Sequence, residues 1–117
     1  MICAMTARRI AAGQTEDFLQ AFLGGSDQLP PAIRDRFKAV LACRQTDDPD
    51  VILTFGMFDG TIDELRDLQS APDRAGQLNT IEPFVEETLF DGSFEVIRDI
   101  IAQSGDGRTS VFTGISA

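Results

Sequence analysis

The segment VILTFGMF, residues 51–58, decides the fold because it is short, almost entirely apolar and sharply bounded. The acidic turn TDDPD precedes it and DGTIDEL follows it. An apolar run of this length between turn residues predicts a β-strand. Both sets of alternating positions are mainly apolar, so both faces of the strand must be covered. The sets are Val51, Leu53, Phe55 and Met57 on one side, and Ile52, Thr54, Gly56 and Phe58 on the other.

Two elements are predicted at the start of the chain. ICAMTARRI, residues 2–10, is a first strand. A helix follows with Thr15 as its N-cap, and Gly24-Gly25 ends it. Its apolar face consists of Phe18, Leu19, Phe22 and Leu23.

The residues between this helix and the strand at residues 51–58 are predicted to form a turn and a second strand. Pro31 begins one further turn, and FKAVLACRQ, residues 37–45, is a second strand. We expect this strand to form a hairpin with residues 51–58 across TDDPD. One of its faces is predicted to hold Phe37, Ala39, Leu41 and Cys43.

The second half of the chain repeats the order of helix and strand. Thr61 and Glu64 form a capping box at the start of a helix that breaks near residues 70–73. A short helical piece reaches Ile81, and FVEETLF, residues 84–90, is a fourth strand. The order strand, helix, strand, strand, helix, strand predicts an α+β, ferredoxin-like fold with an antiparallel four-stranded sheet.

The last residues form a C-terminal extension, residues 93–117, of a domain that spans residues 1–92. Asp91-Gly92 is predicted to be a turn that closes the domain. SFEVIRDIIAQ, residues 93–103, favours a helix capped by Ser93, because its branched residues share a helical face. A strand paired across Asp91-Gly92 remains the alternative. Residues 109–115 are predicted to add a last strand.

Composition limits the partners of this 117-residue chain, which is long enough for one domain. The net charge of -9 repels phosphate backbones and anionic lipids, so we expect neither nucleic acid nor membrane as a partner. No apolar run approaches the roughly 20 residues that span a bilayer. In MICAMTARRI the charges follow the apolar residues, which is the reverse of a secretory signal, so a cytoplasmic location is expected.

The chain contains no His, Trp or Tyr and two cysteines. Without His, a Ser-His-Asp or Cys-His arrangement is excluded within one chain, and the commonest nitrogen ligand of metals is missing. We therefore expect no metal and no cofactor. Cys3 and Cys43 lie in apolar strands and are expected to be buried free thiols, with a disulfide as the open alternative.

The sheet face that the helices leave open needs a cover. A large exposed apolar sheet face is rare on a monomer, and a second copy related by a two-fold axis would cover it. We therefore predict a homodimer through the open sheet face. The alternative cover is the C-terminal extension, folded back across the same sheet.

Two stretches carry a resemblance to a known family, DDPDVILTFGMFDGTIDELRDLQSAP at residues 47–72 and FVEETLF at residues 84–90. With the order of elements, they make residues 1–90 resemble the dimeric α+β barrel superfamily and, within it, the antibiotic biosynthesis monooxygenase-like group. The resemblance implies a barrel formed by two chains and a cavity between sheet and helices. It also implies cofactor-independent oxygenation of aromatic or quinol-type substrates as one activity of such proteins.

Five residues are predicted to line a ligand site, and each has a structural alternative. Arg44 would anchor a carboxylate or enolate, or reach the rim of the sheet. Asn79 would supply an amide to the ligand, or end a helix. Phe22, Phe55 and Met57 would line an apolar pocket, or only fill the core. Arg8 and Arg9 are predicted to be a solvated strand end.

These residues support two functional hypotheses. In the first, a homodimeric barrel binds a small apolar or aromatic molecule and acts as a cofactor-independent monooxygenase. In the second, the protein is a non-catalytic binding or assembly module, which the lack of His, Trp and Tyr favours.

Overall fold

The computed structural model describes residues 1–27, 29–70, 79–103 and 111–112. The elements follow the predicted order along the chain. The strands are β1 (Ile2–Ile10), β2 (Phe37–Arg44), β3 (Val51–Phe58) and β4 (Val85–Glu95). The helices are α1 (Thr15–Asp27), α2 (Pro31–Arg34), α3 (Ile62–Gln69) and α4 (Ile100–Gln103), with a 3-10 helix at Glu82–Phe84.

The four strands form one antiparallel sheet in the order β2-β3-β1-β4. β1 lies between β3 and β4, so each strand-helix-strand unit encloses a strand of the other unit. This is the split βαβ arrangement, and the predicted α+β ferredoxin-like fold is confirmed.

One face of the sheet packs against the helices and carries two separate apolar clusters. The first joins Ile10 and Ile52 of the sheet to Phe18 of α1 and to Ile81. The second consists of Ile2 and Phe58 of the sheet and Leu65 of α3. Phe18 and Phe58 are fully buried, and the burial of each side chain contributes roughly 1.5–3 kcal/mol.

The opposite face of the sheet, here called the open face, is apolar as predicted. The strand register places the odd-numbered residues of β1 and β3 on this face, away from the helices. Leu41, Phe90 and Phe94 are 53%, 44% and 48% exposed there in the single chain. The apolar residues of the open face include Cys3, Met5, Ala7, Ala39, Leu41, Cys43, Leu53, Phe55, Met57, Phe90 and Phe94, and Arg9 lies on the same face near the end of β1.

The local sequence of α3 explains where that helix begins. The Thr61 hydroxyl accepts a hydrogen bond from the Glu64 N–H at 3.2 Å, and the Glu64 carboxylate accepts one from the Thr61 N–H at 3.0 Å. Arg36 reaches the same carboxylate at 2.7 Å and lies 4.7 Å from the centre of the Phe58 ring. The predicted capping box is confirmed, and it ties α3 to the end of β3.

Both edge strands contain bulges, whereas the pairing between β1 and β3 is regular. In β2 the register shifts between Phe37 and Ala39. The shift places Phe37 on the helix side, where it packs against Phe58 with ring centres 5.1 Å apart. The prediction that Phe37 shares a face with Leu41 is therefore wrong. In β4, two shifts lie opposite Ala7 to Ile10.

Both predicted ends of α1 are wrong. Helix α1 continues through Gly24-Gly25 to Asp27, and Leu23 is exposed rather than part of the packed face. Its first hydrogen bond runs from the Phe18 N–H to the Gln14 carbonyl, so Thr15 is the first helical residue and not the N-cap.

The predicted turn at Asp91-Gly92 is also wrong. β4 continues to Glu95 because β1 offers it partners along its whole length, and Asp91 and Gly92 pair with Thr6 and Met5. The helix predicted from Ser93 is limited to Ile100–Gln103, and the hairpin alternative fails for the same reason. The predicted helix break after residue 70 lies outside the described residues. Most of the predicted last strand, residues 109–115, also lies outside them, and its two described residues, 111–112, form a bend.

Candidate functional site

A polar row crosses the helix side of the sheet between the two apolar clusters. It contains Thr6 and Arg8 of β1 and Thr54 of β3. Thr54 is 6% exposed, and its hydroxyl donates to the Thr6 carbonyl at 3.4 Å. The row interrupts the core at the centre of the sheet.

Arg8 is the buried cation of this row. Its residue exposure is 6%, its Nη1 donates to the Thr54 hydroxyl at 3.2 Å, and its guanidinium lies 5.9 Å from the centre of the Phe18 ring. These contacts fix the direction of the side chain. Arginine remains charged at all physiological pH values, so the protein holds a positive charge away from bulk water.

Arg8 lies in a cleft of about 310 Å³ between the sheet and the segment that leads into β4. Ile81 and Val85 form its apolar wall, while the polar wall comes mainly from β1 and β4. Among the described lining residues, Arg8 is the single cation and Glu82 and Asp91 are the acids. The lining consists of Thr6, Arg8, Ile81, Glu82, Val85, Thr88 and Asp91.

The bulges of β4 set which of its side chains enter the cleft. Asp91 pairs with Thr6, and Thr88 pairs with Arg8, so both lie on the helix side. Leu89, between them, is the extra residue of the bulge and is 44% exposed. The Thr6 hydroxyl donates to Asp91 Oδ1 at 3.3 Å, which orients this carboxylate at one end of the polar row.

The prediction of a solvated strand end holds for Arg9 and is wrong for Arg8. Arg9 points to the other face and forms an ion pair with Asp48 at 2.9 Å. The hydrogen bond to Asp48 and the charge of that carboxylate raise the pKa of Arg9. The sequence contained a signal for Arg8, since alternation from Ile2 to the buried Ile10 places position 8 on the same inward face.

The five residues predicted to bind a ligand lie in three different places. Phe22 packs in the first apolar cluster, and Phe55 and Met57 share the open face. Arg44 is exposed at the end of β2, and Asn79 is exposed before the 3-10 helix. The cleft around Arg8 is lined by none of the five, so their role as ligand residues stays a prediction.

The two cysteines are free, and the expectation that both are buried is wrong for Cys43. Cys43 is exposed on the open face, whereas Cys3 is half-buried there. Burial raises the pKa of the Cys3 thiol. Within the described ranges, no three residues of the types His, Cys, Asp and Glu are grouped closely enough to hold a metal ion. The helices of the described part of the chain are too short and too polar to cross a membrane.

Comparisons with known proteins relate the chain to solved structures. No family model matches the sequence, and no curated protein matches it. A Caulobacter crescentus structure, provisionally assigned as an antibiotic biosynthesis monooxygenase, matches with a TM-score of 0.70 and 10% identity over 83% of this chain and 90% of its own. A Deinococcus radiodurans structure with the same provisional assignment matches with a TM-score of 0.67 and 14% identity, over 86% of this chain and 96% of its own.

A third solved structure widens the comparison beyond that assignment. It is an uncharacterized NIPSNAP domain protein from Burkholderia xenovorans, with a TM-score of 0.58 and 17% identity over 81% of this chain and 93% of its own. At these identities the likeness concerns the course of the backbone. The chain therefore has the ferredoxin-like α+β fold of the antibiotic biosynthesis monooxygenase-like proteins.

Proposed function

We propose that the protein binds a small aromatic molecule in the cleft, through an oxyanion held by Arg8, and oxidises it as a cofactor-independent monooxygenase. The single observation that carries the proposal is the buried guanidinium at the cleft surface, fixed by Thr54 and Phe18. A guanidinium has five N–H donors in a planar fork, and this geometry suits an anionic oxygen of a ligand in the cleft.

The chemistry of such a reaction needs few protein groups. An aromatic ketone with an adjacent CH2 group loses a proton and becomes an enolate, whose oxygen Arg8 would stabilise. The enolate carbon donates its electron pair to O2, and protonation gives a hydroperoxide. Loss of water from the hydroperoxide converts the original CH2 to a carbonyl, so one oxygen atom enters the product and the other leaves as water. Asp91 and Glu82 are the carboxylates of the cleft that would accept the first proton.

The experiment compares two arginines on the same face of the sheet. Arg8→Met removes the buried cation, and Arg44→Met removes the exposed cation at the end of β2. We expect Arg8→Met to weaken binding of an enolisable aromatic ketone by at least ten-fold and to abolish its oxygen consumption. Arg44→Met is expected to retain both. Calorimetry measures the binding, and an oxygen electrode measures the reaction.

Each alternative outcome has a clear meaning. Loss of binding in Arg44→Met but not in Arg8→Met would return the site to the residue predicted from sequence and overturn this proposal. Circular dichroism of both variants shows that the fold is intact before the comparison is made.

We also propose that the working form is a homodimer in the cytoplasm, paired through the open face. The half-exposed Leu41, Phe90 and Phe94 support the pairing because they share one face of the sheet with other apolar side chains, and a large contiguous apolar patch is rare on a monomer. The two free thiols fit a reducing compartment.

A second candidate function is ligand binding without turnover. It is favoured by the absence of His, Trp and Tyr, which leaves carboxylates as the proton acceptors of the cleft. Tight binding that depends on Arg8, with no oxygen consumed for any enolisable ligand, would establish the binding function and exclude the monooxygenase.

A further inference from the structure

The side chain of Arg8 leans away from its own partner in the strand register. Its cross-strand partner on β3 is Ile52, whereas its Nη1 donates to the hydroxyl of Thr54, two residues further along that strand. Such diagonal neighbours lie roughly 7–8 Å apart, within reach of a long side chain. The hydrogen bond therefore turns the guanidinium along the sheet, into the row that holds Thr6 and Thr54.

Thr54 is suited to hold that donor in one direction. A hydroxyl has one donor and two acceptor positions, and the Thr54 hydroxyl donates to the Thr6 carbonyl at 3.4 Å. Its acceptor side then faces Nη1 of Arg8 at 3.2 Å. The Thr6 carbonyl belongs to the backbone of a paired strand, and a β-branched side chain such as that of Thr54 has few χ1 rotamers. The acceptor that Arg8 meets is therefore held at a defined place.

The place of Thr54 in the sheet separates it from any ligand in the cleft. It lies in the central pair of strands, and the described residues that line the cleft include Arg8 but not Thr54. It is also the single polar side chain of VILTFGMF, and on the helix side it stands between Ile52 and Phe58 of the two apolar clusters. An effect of its hydroxyl on a ligand would therefore pass through Arg8.

We propose that Thr54 is a positioning residue, which holds the Arg8 guanidinium at the cleft surface for an anionic oxygen of the ligand. The inference rests on the proposed function, because it takes Arg8 as the group that receives the anion. Without the hydroxyl, more rotamers of the long Arg8 side chain become accessible. Binding of the ligand must then order that side chain, which weakens the affinity for anions.

The test compares an anionic probe with a neutral probe of similar shape. 1,3-Indandione is a flat aromatic diketone that forms its enolate near neutral pH, and indane lacks both of its oxygens. Calorimetry at pH 8 under nitrogen measures the affinity of the intact protein for each probe. We expect Thr54→Val to weaken binding of 1,3-indandione by about five-fold or more and to leave that of indane unchanged. Thr54→Ser, which keeps the hydroxyl, should restore most of the affinity for 1,3-indandione.

Arg8→Met separates failure of this role from failure of the proposed function. If Arg8→Met abolishes binding of 1,3-indandione and Thr54→Val binds it as the wild type does, the role of Thr54 is overturned and the proposed site stands. An equal loss of affinity for both probes in Thr54→Val would show a general structural role and would also overturn it. Binding of 1,3-indandione that does not depend on Arg8 would overturn both proposals. Circular dichroism checks the fold of each variant, and Thr54→Ala removes the same hydroxyl if Thr54→Val does not fold.

Discussion

Neighbouring residues with the same side chain have opposite roles in β1. Arg8 enters the core and contacts Thr54 and Phe18, whereas Arg9 crosses to the other face and pairs with Asp48. From residue type alone, both arginines are predicted to be solvated at the end of the strand. Only the strand alternation separates them, because Ile2 and Ile10 must both face the helices for the core to form. The sequence therefore contains a signal for the inward position of Arg8, but charged side chains are rarely buried, so an arginine there is more readily predicted to be solvated.

Gly60, two residues after the end of β3, tests how closely the residues around Phe58 and Arg36 are packed. A Cβ at Gly60 would overlap Arg36 Nη2 and lie 2.5 Å from Cε2 of the fully buried Phe58. Gly60→Ala is expected to lower the free energy of unfolding by about 1–3 kcal/mol, since the packed ring must move. Gly24→Ala in α1 meets nothing within 4 Å and should raise it by about 0.5–1 kcal/mol. Urea denaturation measures both, and equal effects of the two substitutions would contradict the packing argument.

At the scale of elements, the start of α3 can be predicted from the sequence, whereas the length of β4 cannot. The start of α3 is set by hydrogen bonds between Thr61 and Glu64, which are three residues apart. The length of β4 is set by pairing with β1, more than 80 residues earlier, where Thr6 bonds to Asp91. Asp91-Gly92 has the composition of a turn, yet the backbone partners of β1 outweigh that local preference. The two bulges of β4, and therefore the entry of Thr88 into the cleft, have no signal within the strand itself.

The cap of α3 should make the stability of the protein depend on pH. Hydrogen bonds from the Thr61 backbone and from Arg36 lower the pKa of Glu64 below its ordinary value of 4.5. The stabilisation is complete above that ordinary value and is lost as the pH falls through the lower pKa of the folded protein. Glu64→Gln should lower the Tm by a constant amount above pH 5.5 and by a shrinking amount below about 4.5. Thermal unfolding followed by circular dichroism from pH 3 to 8 checks this, and a difference in Tm that persists unchanged to pH 3 would contradict it.

At the scale of the whole molecule, the apolar character of both sheet faces was predictable from the opening segment. Alternation in residues 51–58 shows that each face is apolar. It does not show which set the helices cover, and the structure assigns Ile52 and Phe58 to the helices and Phe55 to the open face. The cleft was beyond prediction because it requires Ile81, Arg8 and Asp91 to meet from distant parts of the chain.

Adjacent residues of β2 provide a matched test of the dimer. Leu41 lies on the open face and Val40 on the helix side, and they are 53% and 50% exposed in the single chain. Leu41→Asp should give particles of one 12.7 kDa chain, while Val40→Asp should retain twice that mass. Sedimentation measures the mass, and Cys43 on the open face should react faster with a thiol reagent in Leu41→Asp. A wild-type protein of single-chain mass at micromolar concentration would contradict the dimer.

The irregular pairing of β2 and β4 has a consequence for how copies of the chain can assemble. Both strands lie at the rims of the sheet, and both carry an insertion that disturbs the spacing of their outward N–H and C=O groups. An edge strand that contains a bulge is a poor template for an incoming strand, so edge-to-edge strand pairing into fibrils is disfavoured. Contact between two open faces, by contrast, is complete after a single partner has docked. If two copies pair through their open faces as proposed, the bulges in β2 and β4 disfavour further growth of the pair through these two edge strands.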